Sequence, residues 1–167
     1  EYDRQRQYHH SLLNFYLKKK NQKRSFIICG GASLILQGII SRTTKDIDKY
    51  LEDENNLFFV AYVGMQNEEA IFRKVESFNI PSHQFATLIH PSAIIPKGFC
   101  KIGNGVMMAP LSQLSPDTTI EDNCILLPNS FVGHDSTLRR FAHIASNAVV
   151  GANVDVGKAV HVGTNAT

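Results

Sequence analysis

The chain reads as a small α/β layer followed by a parallel β-helix, and three observations lead there. From Ile102 to Val162 an aliphatic residue recurs at every sixth position without a miss: Ile102, Met108, Leu114, Ile120, Leu126, Val132, Leu138, Ile144, Val150, Val156 and Val162. A fixed hexapeptide period is the mark of a parallel β-helix. Three residues after most of these sits Gly105, Asp117, Asn123, Asn129, Asp135, Asn147, Asn153 or Asn165, the types that best tolerate a positive φ at a corner. Before this region, β-rich and helix-patterned stretches alternate, as in a parallel layer.

Within each hexad, a small or β-branched residue follows four places after the aliphatic one, from Val106, Ser112 and Thr118 through Cys124, Ser130, Ser136, Ala142, Ala148, Val154 and Val160 to Ala166. Two inward side chains per hexad fill a narrow core. The unit is a short strand and a corner. Three hexads make a triangular coil of eighteen residues, stacked at about 4.8 Å. Ile89 and Ile95 extend the period backwards, with a one-residue slip before Ile102.

Taken in order, residues 6 to 20 have a helical apolar face of Tyr8, Leu12, Phe15 and Tyr16, widened by Leu13 and Leu17. Lys18, Lys19, Lys20, Lys23 and Arg24 follow as a basic cluster, read as a solvated helix end because no aromatic single-strand platform or zinc-finger spacing accompanies it. Ser25 to Cys29 reads as a buried strand turning out through Gly30, Gly31, Ala32 and Ser33, a sequence that is neither GxGxxG nor a Walker loop. Asp46 to Leu51 reads as a short helix and Leu57 to Val63 as a buried strand ending at Gly64. A helix from about Asn67 to Phe78 is expected to turn Ala70, Ile71, Val75 and Phe78 inward. Phe85 to Ile89 then leads into the first coil. In such layers a ligand binds beyond the carboxyl ends of the strands, which puts Gly30 and Gly64 at the candidate pocket. The domain boundary falls between residues 84 and 85.

With 167 residues and a net charge of +2, the chain suits one or two small domains. No apolar run is long enough to span a membrane, and no signal peptide opens the sequence. Cys29, Cys100 and Cys124 show no CxxC pairing and read as reduced thiols of a cytoplasmic protein. Neither nucleic acid nor membrane is expected as a partner. The chain opens without methionine and stops within a repeat, so material is expected beyond both ends, since solenoids need caps.

Seven histidines are the main catalytic material. His9 and His10 read as surface residues, and His83 and His90 as loop residues at the domain junction. His143 and His161 are eighteen apart and stack on one face. His134 and His143 are nine apart, so one prism presents them on different sides. His134 stands beside a corner and is followed by Asp135, a carboxylate able to fix an imidazole's tautomer and support its charge as a base. Zinc is the rival use of these imidazoles, but it needs three converging ligands, one of them from a neighbouring subunit.

The runs FATLIHPSAIIPKG (Phe85 to Gly98) and NSFVGHDSTLRRFAHIASNAVVGANVDVG (Asn129 to Gly157) resemble the bacterial family of sialic-acid O-acetyltransferases and nucleotide-sugar N-acetyltransferases. The similarity covers Phe85 to Thr167, about half the chain. It implies a small Rossmann-like sugar-nucleotide domain, an IHPSA junction and a left-handed β-helix. It also implies acetyl-CoA as co-substrate, a nucleotide sugar or sialic-acid-like acceptor, and no metal. On that register His134 falls on the family's general base and Asp135 on its acidic partner. His143 falls on a histidine whose backbone region contacts the acetyl group, and Thr164 falls near a CoA contact. The family's opening strand and glycine-rich loop are absent, so the N-terminal domain reads as incomplete; the final coils are missing too.

The expected reaction is acetyl transfer to an amino group of an activated sugar, with His134 as base and a backbone N–H near His143 at the oxyanion. Transfer to a hydroxyl is the alternative, and a prism serving only as a binding scaffold is a third reading. Because His134 and His143 lie on different sides, a homotrimer with sites between subunits is expected.

Overall fold

A computed structural model describes the strand Phe26–Cys29, the strand Leu57–Val60 and residues 68–167. The helices expected over 6–20 and 46–51, and Gly30 and Gly64, lie outside the described residues. β1 (Phe26–Cys29) and β2 (Leu57–Val60) pair in parallel, Phe26 opposite Leu57. Helix α1 (Glu68–Glu76) and a 3-10 turn (Ser82–Gln84) follow. The described part of the N-terminal region is therefore two parallel strands and a helix, which do not amount to a Rossmann-like domain.

From β3 (Leu88–Ile89) onward the chain is a parallel β-solenoid of two-residue strands. These are β4 (Lys101–Ile102), β5 (Met107–Met108), β6 (Gln113–Leu114), β7 (Thr119–Ile120), β8 (Ile125–Leu126), β9 (Phe131–Val132), β10 (Thr137–Leu138), β11 (His143–Ile144), β12 (Val149–Val150), β13 (Asp155–Val156) and β14 (His161–Val162). They form three sheets, the faces of a prism: β4-β7-β10-β13, β3-β5-β8-β11-β14 and β6-β9-β12. Partners are eighteen residues apart, as in Thr137 with Asp155. Leu88 with Met107 is offset by nineteen, which is the one-residue slip before Ile102.

The aliphatic positions from Met108 to Val156 are buried, and so are the second inward positions from Val106 to Ala148. Their hydroxyls are satisfied locally: Ser112, Thr118 and Ser130 donate to the carbonyls of Ala109, Ser115 and Leu127 at 2.7 Å. This lets a polar atom sit in the core without the penalty of an unmade hydrogen bond. Val154 and Val160, expected inward, are exposed; both lie among the last residues described.

All eight expected corners have positive φ, and so do Leu111, Phe141 and Ala159 at the same hexad position. The corners stack into three columns. One holds Leu111, Asn129, Asn147 and Asn165, with Asn129 donating to Asn147 and Asn147 to Asn165 through their amides, at 3.3 and 3.1 Å. A second, Gly105, Asn123, Phe141 and Ala159, receives the N-terminal elements. There Phe72 meets Phe141 edge-on at 5.0 Å, Arg140 pairs with Glu76 at 2.9 Å, and Lys158 lies 4.8 Å from the Phe72 ring centre. Ser82 donates to Asp122 at 2.8 Å, and the Ala86 N–H donates to the Phe58 carbonyl at 2.8 Å. Helix α1 thus presents Phe72, Val75 and, just beyond it, Phe78. Ala70, expected inward, is exposed, because docking on Phe141 selects the Phe72 side.

Leu111 is exposed and holds φ of 59°, a conformation that is unfavourable by roughly 1–2 kcal/mol for an L residue other than Gly or Asn. Replacing it with asparagine removes that strain and adds a rung to the ladder above Asn129. Leu111→Asn is expected to stabilise the chain by about 0.5–1 kcal/mol, read as a higher denaturant midpoint at unchanged slope; an unchanged or lower midpoint refutes it.

Candidate active site

The third column of corners carries the histidine–aspartate pair: Asp117, Asp135 and Asn153, preceded by Pro116, His134 and Ala152. The hexad pattern places His134 there by ending β9 at Val132 and turning at Asp135, whose φ is 56°. The His134 main chain is held from the next coil, since its carbonyl accepts the Asn153 N–H at 2.8 Å. The Ser136 hydroxyl donates to the Gly151 carbonyl at 2.9 Å beside it.

Gly133 is fixed by contact. A Cβ there would lie 2.6 Å from the Ala152 nitrogen and from the Gly151 carbonyl carbon and oxygen, so only glycine lets the coils close at this corner. Neither Gly133 nor Asn153 stood out in the sequence as a site residue, although Gly133 and Gly151 are eighteen apart and the stacking of two glycines beside His134 was a usable signal.

His134 Nδ1 lies 2.7 Å from Asp135 Oδ2, and both side chains are well exposed. An ionised carboxylate only accepts, so in the neutral imidazole this contact places the hydrogen on Nδ1 and the lone pair on Nε2. This is the tautomer a general base requires, on an open corner.

His143 is on the opposite side of the prism, on the face between the other two columns. Its ring is buried and T-stacked on His161, with ring centres 4.6 Å apart and the two Nδ1 atoms 3.1 Å apart. Burial, and then the charge of His161, lowers its pKa from 6.5 to about 4. Its own backbone N–H donates to Val160 O and that of Ala145 to Val162 O, both at 2.9 Å; the oxyanion donor expected in this region is therefore neither of these amides. Thr164 is exposed on the last coil. The structure thus joins His134 to Asp135 and His143 to His161, and keeps the two pairs apart within one chain. Among the described residues no group of three or more His, Cys, Asp or Glu side chains could hold a metal ion, and no helix is long and apolar enough to cross a membrane. Cys124 is an inward core residue, its thiol pushed up to about 12 by burial.

Residues 10–81 match the family described as nucleotidyltransferases of unknown function (DUF6036). No curated protein matches the chain in sequence. Among solved structures, WeeI from Acinetobacter baumannii AYE is similar over 93% of this chain and 73% of its own, at 15% identity and a TM-score of 0.64. A variant of perosamine N-acetyltransferase from Caulobacter crescentus, solved with CoA and GDP-perosamine, aligns over 74% of this chain and 68% of its own, at 19% identity and a TM-score of 0.39. The acetyltransferase domain of PglB from Neisseria gonorrhoeae FA1090 aligns over 83% and 96%, at 15% identity and a TM-score of 0.44. At these identities the likeness to WeeI is one of fold.

The buried His143 makes a prediction about acid stability. Its folded pKa of about 4 lies below the ordinary value of 6.5, so the unfolded chain takes up the proton first. Stability is full above pH 6.5 and falls as the pH drops from 6.5 towards 4, by an amount on the order of 3 kcal/mol. Thermal midpoints measured across that window should fall more steeply for the native chain than for His143→Phe; parallel curves would show that His143 is not the group responsible.

Proposed function

We propose that the chain is an acetyl-CoA-dependent acetyltransferase acting on an amino group of a nucleotide-activated sugar, with His134 as general base. The observation that carries this reading is the His134–Asp135 pair at 2.7 Å on an exposed corner of a hexapeptide solenoid. The sequence resemblance over the same residues supports it.

In this reading Nε2 of His134 removes a proton from the acceptor amine as its nitrogen attacks the thioester carbonyl of acetyl-CoA. Asp135 holds the ring by its Nδ1 hydrogen and offsets the charge of the imidazolium. Collapse of the tetrahedral intermediate breaks the C–S bond, the leaving thiolate takes the proton back from Nε2, and the products are the acetamido sugar and free CoA. No acyl-enzyme is formed: the Ser136 hydroxyl is buried and committed to the Gly151 carbonyl. A hydroxyl acceptor, as in sialic-acid O-acetylation, would follow the same steps.

His134 and His143 lie on opposite sides of one prism, which supports an assembly in which a neighbouring copy closes the groove around His134. A three-sided prism packs as a cyclic trimer. In that assembly the buried His143–His161 pair stiffens its face, and the acetyl contact comes from main chain of this region. Thr164 on the exposed last coil is the CoA contact, and Gly30 and Gly64 remain sugar-nucleotide positions only in this reading.

The match over residues 10–81 favours a second reading, in which the N-terminal part handles a nucleoside triphosphate independently of the prism. One assay separates them. Protein is incubated with acetyl-CoA and a panel of nucleotide-linked amino sugars and free sialic acid, and in parallel with nucleoside triphosphates, while thiol and pyrophosphate are measured. Acceptor-dependent thiol release, reduced about tenfold to a hundredfold in Asp135→Asn, is expected, with a trimeric mass by sedimentation. Pyrophosphate release without thiol release would overturn the acetyl-transfer reading in favour of the second.

A further inference from the structure

The three faces of the prism differ in what they present outwards. On the β4-β7-β10-β13 face, Arg139 donates to Asp155 at 2.9 Å and to Glu121 at 3.0 Å, which ties two carboxylates together in the open. On the β3-β5-β8-β11-β14 face, the outward side chains of Leu88, Met107, Ile125 and His143 are already buried. The β6-β9-β12 face has neither feature. Ile94 bridges to Gln113, Gln113 pairs with Phe131 and Phe131 with Val149, which lines these side chains up as one outward ridge. Ile94 is 55% and Val149 40% exposed, and Phe131 is half-buried. Beside the ridge runs a trough of small residues, Ser115, Gly133 and Gly151. Neither row contains an ionisable side chain.

The trough borders the corner of His134, which Gly133 immediately precedes. The described N-terminal elements dock on a different column, that of Phe141 and Arg140, and leave this face uncovered. A ridge without charge is cheap to desolvate, and an uncovered apolar surface of this kind marks an interaction site. A standard interface takes about 800 Å² from each partner, a small fraction of the 9655 Å² that the chain exposes. One face of a three-sided prism with its corners supplies it.

We infer that this face seats the next copy of the chain, with Ile94, Phe131 and Val149 as anchors, and that the seated copy roofs the trough beside His134. The inference rests on the reading above, in which a neighbouring copy closes the groove around His134. In a closed ring the two surfaces of each contact differ. The opposing surface is the row of Pro110, Leu127, Pro128 and Ser146, half-buried and uncharged, on the far side of the asparagine column from the ridge. Ser146 closely follows His143, so this row brings the main chain of that region over the trough, where the reading above places the acetyl contact. The thioester is then held between the base of one copy and main chain of the next. The corner between the two surfaces carries Asn129, Asn147 and Asn165, and asparagine at position 111 continues it without touching the ridge.

Sedimentation and acceptor-dependent thiol release, measured on the native chain, Ile94→Lys, Val149→Lys and Thr119→Lys, test this. Both ridge positions are exposed, so lysine there leaves the core intact. Each ridge variant is expected to be a monomer with native circular dichroism, and its thiol release to fall about a hundredfold because the groove stands open. Thr119→Lys, on the charged face, is expected to keep the trimeric mass and the native rate. A native chain that sediments as a monomer or dimer overturns the inference. So does a folded ridge variant that stays trimeric, or a monomeric one that releases thiol at the native rate. If the ridge variants come apart but the native trimer releases no thiol with any acceptor, the seat stands and acetyl transfer falls. A monomeric native chain that releases thiol removes the seat and keeps the reaction.

Discussion

Every sixth residue from 105 to 165 takes a φ between 52° and 69°, and this left-handed corner is the constraint on which the molecule rests. It turns a two-residue strand through the corner of a triangle, so three hexads return the chain above its start and the coils stack in register. The inward aliphatic and small side chains then form one continuous core, since each coil covers the apolar face of the one before it. A corner that failed to close would expose the core on both sides.

Because the corners stack, each column becomes a surface with its own composition. The asparagine column ties coils together through amide hydrogen bonds. The column of Phe141 seats α1, and here a bulky residue is held in a conformation it disfavours because its ring is buried against Phe72. The remaining column has no such cover among the described residues. There the fold fixes the backbone of His134 through Gly133 and Asn153 while leaving its ring and Asp135 in the open, the combination of a rigid main chain and an accessible base that proton transfer requires.

Much of this was legible before any coordinates. The aliphatic period specified the coil, the eighteen-residue offset placed His143 beside His161, and asparagine, aspartate and glycine marked eight corners. Leu111, Phe141 and Ala159 were not legible as corners, because their own preferences argue against positive φ and stacking between correct corners overrides them. The docking face of α1 was misjudged at Ala70, since that face is selected by Phe141, seventy-one residues away. The pairing of His134 with Asp135 was visible as adjacent residues, but its useful geometry depends on the φ of Asp135. The burial of His143 was not visible, because hexad position alone does not say which outward face is covered.

The proposed role of His134 as the base for acetyl transfer is tested most directly by the rate of acceptor-dependent thiol release from acetyl-CoA by the native chain and by His134→Ala, with folding and oligomeric mass checked on both. Loss of the imidazole is predicted to slow release by about a hundredfold or more at an unchanged KM for acetyl-CoA. A folded His134→Ala protein that releases thiol within about twofold of the native rate would contradict the account.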